Sequence, residues 1–111
     1  MSATLSTHVL DTAHGRPAAG VAVTLATVAG EVIWSGATDG DGRCPGMPGI
    51  AAGGYRLTFA VAAYFRGAGV VLPDPPFIDR VAIDFGVAAD GGHYHVPLLV
   101  APFGYSTYRG S

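Results

Sequence analysis

Apolar residues recur at every second position along much of this chain. Val21 to Leu25 reads VAVTL, Tyr55 to Val61 reads YRLTFAV, and the segment LSTHVLD at Leu5 to Asp11 follows the same period. In an extended strand successive side chains point to opposite faces, so a period of two describes a strand with one face buried. Glu31 to Trp34, Arg80 to Phe85, His93 to Ala101 and Tyr105 to Tyr108 are further short runs rich in β-branched or aromatic residues. Between them lie Gly15-Arg16-Pro17, Thr38-Asp39-Gly40-Asp41-Gly42 and the glycine- and proline-rich stretch Pro45 to Gly54. These supply the backbone angles that turns require. The pattern predicts an all-β chain of seven or eight short strands folded as a two-sheet β-sandwich.

Ala60 to Gly69 (AVAAYFRGAG) breaks the alternation, and its alanines predict one short helix that Gly67 and Gly69 end quickly. Neither a repeat nor a linker divides the 111 residues, so residues 1–111 are expected to form a single domain. Hydrophobic residues make up 50% of the chain and charged residues only 13%, against about 25% charged in an ordinary domain. A surface so short of charge predicts a protein partner. The net charge of −2 offers no basic footprint for nucleic acid. No apolar run reaches the roughly 18 residues that a membrane span needs, and no signal-peptide pattern opens the chain. With Cys44 as the sole cysteine, no intrachain disulfide is possible, and the expectation is a cytoplasmic protein.

Few residues are suited to chemistry. His93 and His95 share one strand face, because they are two apart in HYHVPLLV. His93, near the strand start, reads as a solvated surface histidine. His95 leads into an apolar strand, where an imidazole needs a partner or a purpose. His8 lies in an alternating segment, where a core histidine and a functional one are both open readings. His14, beside Gly15, reads as a surface loop residue. Arg43 follows the Asp-Gly-Asp-Gly turn and is either a strand-edge charge or a functional cation. Cys44 reads as a small buried hydrophobe in preference to a nucleophile. The His-x-His pair with a third histidine is too loosely spaced to predict a zinc site, and neither metal nor cofactor is expected.

Four segments in order, LSTHVLDTAHGRPAAGV (5–21), TDGDGRC (38–44), GGYRLTF (53–59) and HYHVPLLVAPFGYSTYRGS (93–111), resemble the transthyretin-related proteins. The likeness is to the branch that hydrolyses 5-hydroxyisourate, which the Tyr-Arg-Gly-Ser motif at 108–111 separates from the hormone carriers. The resemblance runs from end to end of the chain. It implies two four-stranded sheets with a short helix, and a homotetramer built as a dimer of dimers with sites in the channel between them. It implies catalytic roles for His8, Arg43 and His95, and a substrate pocket formed by these three with Tyr108 and Ser111. Val70 to Arg80 (VVLPDPPFIDR) departs from the family pattern, lacking the paired phenylalanines before a proline, which puts the local loop in doubt.

The implied reaction opens a ring of a small oxidised purine by metal-free attack of water on a carbonyl, giving 2-oxo-4-hydroxy-4-carboxy-5-ureidoimidazoline. Acyl transfer to water needs a base, donors for the developing oxyanion and an acid for the departing nitrogen. Imidazoles suit the first and third roles at neutral pH, and a guanidinium suits the second. Which of His8 and His95 activates the water stays open. The alternatives are a transthyretin-like carrier of a small ligand in the same channel, and a plain structural sandwich.

Overall fold

The computed structural model describes residues 2–111. Its strands are β1 (Ala3–Asp11), β2 (Arg16–Pro17), β3 (Ala22–Thr27), β4 (Val32–Ala37), β5 (Gly53–Ala60), β6 (Arg80–Val87), β7 (Gly92–Ala101) and β8 (Gly104–Thr107), with one helix, α1 (Val61–Gly67), between β5 and β6. They form two four-stranded sheets, ordered β2-β1-β7-β8 and β4-β3-β5-β6. The expected all-β sandwich with one helix is therefore the fold observed.

The period of two decides which side chains fill the space between the sheets. Along β1, Leu5, Thr7, Val9 and Asp11 are buried, while Thr4, Ser6, His8 and Leu10 turn to the other face. Val23 and Leu25 of β3, Leu57 and Phe59 of β5, and Leu98 and Val100 of β7 meet them in the core. Burying one such side chain contributes about 1.5–3 kcal/mol, so the alternation itself fixes which face of each strand points outward. Thr7 enters the core because its hydroxyl donates to the Val96 carbonyl at 2.7 Å.

Helix α1 begins where β5 ends because the N–H groups of Val61 and Ala62 reach the Asp79 carbonyl at 3.1 and 3.0 Å, in place of a side-chain cap that Ala60 lacks. Phe65 anchors the helix in the core. The strand that the sequence pattern did not reveal is β2: Gly15-Arg16-Pro17 reads as a turn, yet Arg16 and Pro17 pair with Asp11 and Leu10. Two residues cannot display a period, and a proline is tolerated because β2 is an edge strand.

Pairing between β1 and β7 positions the site. These strands run parallel in the middle of their sheet, with Thr4 opposite His93, Ser6 opposite His95 and His8 opposite Pro97. The segment 70–79, which departs from the family pattern, holds no strand or helix. Among the described residues no helix is long and apolar enough to cross a membrane.

Candidate active site

The outward face of β1 and β7 gathers the polar side chains. Thr4 Oγ1 lies 2.6 Å from His93 Nδ1, Ser6 Oγ lies 2.8 Å from His93 Nε2, and the same Ser6 Oγ lies 2.7 Å from His95 Nδ1. His93 is thus exposed but not merely solvated: both of its ring nitrogens are engaged. His8 stands two residues beyond Ser6 on the same face and is half-buried, as is His95.

Arg43 arrives on a loop that is tied to β1. It forms an antiparallel bridge with His8, and the amide of Val9 donates to the Gly42 carbonyl at 2.7 Å. The turn before it is held by Asp39, whose Oδ1 accepts from the amides of Asp41 at 2.9 Å and Arg43 at 3.0 Å. Gly42 makes this approach possible. Its φ of +76° lies in the left-handed region, and a Cβ there would strike the Val9 carbonyl oxygen. The Arg43 side chain remains exposed, and the ion pairs found among the described residues, His14 with Asp11 and Arg56 with Asp84, leave its guanidinium free.

The segment 108–111 closes the site from the other side. Gly110 bridges to His95, its amide donating to the His95 carbonyl at 2.8 Å. A Cβ on Gly110 would collide with Cδ2 of the imidazole. Arg109 fastens the segment, with its guanidinium carbon 4.1 Å from the centre of the Tyr94 ring and Nη2 donating to the His93 carbonyl at 3.3 Å. Tyr108 goes elsewhere: with Ile83, Phe85, Tyr94 and Val96 it lines a cavity of about 340 Å³ at the edge between the sheets. Ser111 is exposed beyond Gly110. Within one chain, then, His8, Arg43 and His95 come together on an open sheet face, Gly110 borders them, and Tyr108 does not join them.

The charge balance of this face is uneven. Burial, together with the positive charge of Arg43 and the neighbouring His8 and His93, holds the His95 imidazole below its usual 6.5, so the ring is neutral at physiological pH. Such a ring can accept a proton, and the adjacent free guanidinium can receive negative charge on an oxygen. Cys44 supplies no nucleophile. Burial first, and Asp39 second, push its thiol up to about 11, which keeps it protonated and inert. His14, read from sequence as a plain loop residue, ties the loop to β1. Its Nδ1 donates to Asp11 Oδ2 at 2.6 Å, and its amide donates to Oδ1 at 2.9 Å. Tyr64 adds a bond to the same carboxylate at 2.7 Å. Among the described residues no three His, Cys, Asp or Glu side chains cluster as a metal site requires.

Sequence reasoning did not single out Thr4 or Ser6, took Gly110 only as a member of the Tyr-Arg-Gly-Ser motif, and undervalued His93. The alternation placed Thr4, Ser6 and His8 on one face, but the contact needs the parallel register between strands whose bonded residues lie 87 to 89 positions apart. No local pattern carries that register.

Residues 5–110 match the HIUase/Transthyretin family. The chain belongs to this family. Among HIUase/Transthyretin relatives, the 5-hydroxyisourate hydrolase of Caulobacter vibrioides is 52% identical over 112 residues, spanning 96% of this chain and 97% of that protein. The structure of Klebsiella pneumoniae 5-hydroxyisourate hydrolase superposes with a TM-score of 0.85 at 40% identity, covering 98% of this chain and 99% of its own. Sea bream transthyretin in complex with thyroxine superposes with the same TM-score of 0.85 at 31% identity, over 96% of this chain and 93% of that one. The family thus holds hydrolases and a hormone-binding member on one fold, and the side chains must decide between them.

Proposed function

We propose that this protein is an enzyme that hydrolyses 5-hydroxyisourate to 2-oxo-4-hydroxy-4-carboxy-5-ureidoimidazoline, a step of urate breakdown. Full-length relatives bearing the hydrolase name at about half identity support the reading. The observation that carries it is the meeting of His8, Arg43 and His95: a bridge joins the first two, and His8 lies two residues along β1 from Ser6, the register partner of His95, on the same face.

In this reading His95 takes the proton of a water as its oxygen bonds to a ring carbonyl carbon, because its lowered pKa keeps it neutral where His8 and Arg43 surround it. Arg43 receives the oxyanion and orients the ureide oxygens with its planar fork. His8, diagonal to His95 on the same face, binds the substrate from the β1 side. Ser111, next to Gly110, and Tyr108 complete the pocket only when chains assemble. The assembly we assign is a homotetramer, a dimer of dimers, and its support is the apolar edge of the sandwich: Phe103 is 63% exposed, Tyr105 51% and Tyr108 60%, on or beside the unpaired edge strand β8. The cytoplasm is the proposed location, in keeping with a single, buried, free cysteine. No cofactor is assigned.

A carrier function is favoured by the likeness to the thyroxine-bound relative. Against it stands the polarity of the face, since a carrier of an apolar ligand has little use for imidazoles and a guanidinium that converge. An ultraviolet assay with freshly generated 5-hydroxyisourate separates the two. The hydrolase accelerates the decay of the substrate absorbance many-fold over the spontaneous rate, and a carrier leaves that rate unchanged.

A further inference from the structure

The hydrolysis assigned to His8, Arg43 and His95 leaves unused the chain of hydrogen bonds behind His95. Thr4 Oγ1, His93, Ser6 Oγ and His95 Nδ1 are linked by contacts of 2.6, 2.8 and 2.7 Å. A serine hydroxyl holds a single proton, so Ser6 donates to one imidazole and accepts from the other. With both rings neutral, two arrangements satisfy every link. In the first, His95 Nδ1–H donates to Ser6, Ser6 donates to His93 Nε2, and His93 Nδ1–H donates to Thr4, which leaves His95 Nε2 bare. In the second all the donors reverse, and His95 Nε2 carries a proton. The first arrangement is a base and the second an acid, and hydrolysis calls for each in turn.

We propose that Ser6 and His93 are positioning residues for the hydrolysis assigned above, on which this inference rests: they form a hydroxyl–imidazole relay that switches His95 between its base and acid tautomers without leaving charge on it. As the water oxygen bonds to the carbonyl carbon, a water proton moves to His95 Nε2. The Nδ1 proton moves to Ser6 Oγ, and the former Ser6 proton moves to His93 Nε2. His93 keeps its Nδ1–H on Thr4 and becomes the imidazolium, while the carbonyl π pair becomes the oxyanion beside Arg43. When the oxyanion collapses, the carbonyl re-forms, the carbon–nitrogen bond breaks, and the leaving nitrogen takes the proton from His95 Nε2. The relay then runs backwards, from His93 through Ser6 to His95 Nδ1, and all its members regain their starting state.

The surroundings explain why such a device is useful. Arg43 faces His95 from the loop, His8 and Ser6 from β1, His93 from its own strand and the Gly110 backbone from the tail. No carboxylate is among these neighbours to stabilise a cation. His93, by contrast, is exposed and holds its charge in water. Export of the charge from His95 to His93 removes the cation beside Arg43 from the transition state.

The test compares the wild-type chain with Ser6→Ala, Ser6→Thr and His93→Gln, reading kcat and KM separately and the solvent isotope effect in mixtures of H2O and D2O. Hydrogen-bond partners that orient metal-ligating histidines carry about 10–100-fold of activity, and the same order is expected for one that orients a histidine base. Ser6→Ala is expected to lose about that much in kcat with KM within about 3-fold, and to turn the bowed isotope plot of the wild type, with several protons in flight, into a straight line. Ser6→Thr, which keeps a hydroxyl, restores most of the loss. His93→Gln, at an exposed position that folding tolerates, gives the same straight line should Ser6→Ala fail to fold. Wild-type kcat with a bowed plot in Ser6→Ala or His93→Gln overturns the relay alone, as does a loss confined to KM. A wild-type chain that does not accelerate the decay overturns the hydrolase reading, and the relay with it.

Discussion

Gly110 rests its backbone on the imidazole of His95. The Gly110 amide donates to the His95 carbonyl at 2.8 Å, and the ring edge lies where a Gly110 side chain would begin. The two residues are joined across strand and tail, so the tail sets the position of a ring that the proposed mechanism uses for proton transfer. Substitution of Gly110 by alanine must push the ring or the tail away. A displacement of about 1 Å in a reacting group costs on the order of 10²-fold in rate. Gly110→Ala is therefore expected to lose about that in kcat, while urea unfolding stays a single cooperative transition, because the clash is confined to the tail and one ring and leaves the buried core untouched. Steady-state kinetics and urea unfolding of the same preparation check both halves.

In the proposed mechanism His95 sets the acid limb of activity. It works as a base only when neutral, and its pKa is held below the usual 6.5 by burial and by Arg43, His8 and His93. Lowering that value extends the neutral form to lower pH, so the limb of kcat/KM against pH is expected to fall through an apparent pKa below 6.5. A limb centred at or above 6.5 assigns the base to another group.

The thiol of Cys44 is buried and raised to about 11. Iodoacetamide at pH 7.5 is expected to leave the folded protein unmodified and fully active, and to label Cys44 once urea unfolds the chain. Mass spectrometry reads the outcome. Labelling of the native protein with loss of turnover would make Cys44 part of the site.

Asp11 is fully buried and accepts from Tyr64 and from the ring and amide of His14. Desolvation raises its pKa, but these hydrogen bonds outweigh it, and the carboxyl ends below its ordinary 3.8. A carboxyl depressed in the folded state adds stability that is fully present above the unfolded value and is lost as pH falls through the folded one. Urea midpoints measured downward from pH 5 are expected to drop in that window. Tyr64→Phe removes one bond to a charged group, about 1.5–3 kcal/mol, and leaves kcat unchanged, because this cluster lies away from His95.

Legibility in the sequence followed the range of the interaction. The strand set and the helix at Val61–Gly67 were legible because periodicity and alanine content are local. So was the exit of Arg43 from its turn, because Asp39 and Gly42 act within four residues of it. Strand β2 was not, since two residues at an edge show no period. The Ser6 contacts were not legible either: they depend on which strand lies beside β1, and the sequence of β1 would read the same against any neighbour. Tyr108 shows the converse limit. The family motif places it in the substrate pocket, whereas in the single chain it borders the slot between the sheets, so the assignment depends on the assembly and not on local sequence.

In the proposed mechanism His95 acts beside Arg43 and His8 as one site, and the hydrolase reading stands or falls with that arrangement. Its most direct test is the turnover of freshly generated 5-hydroxyisourate by His95→Asn, once sizing and circular dichroism match wild type. Loss of a positioned acid–base group costs about 10²–10⁴-fold, and a fall of that size in kcat is the result expected. A folded His95→Asn that turns over within a few-fold of wild type would contradict the assignment.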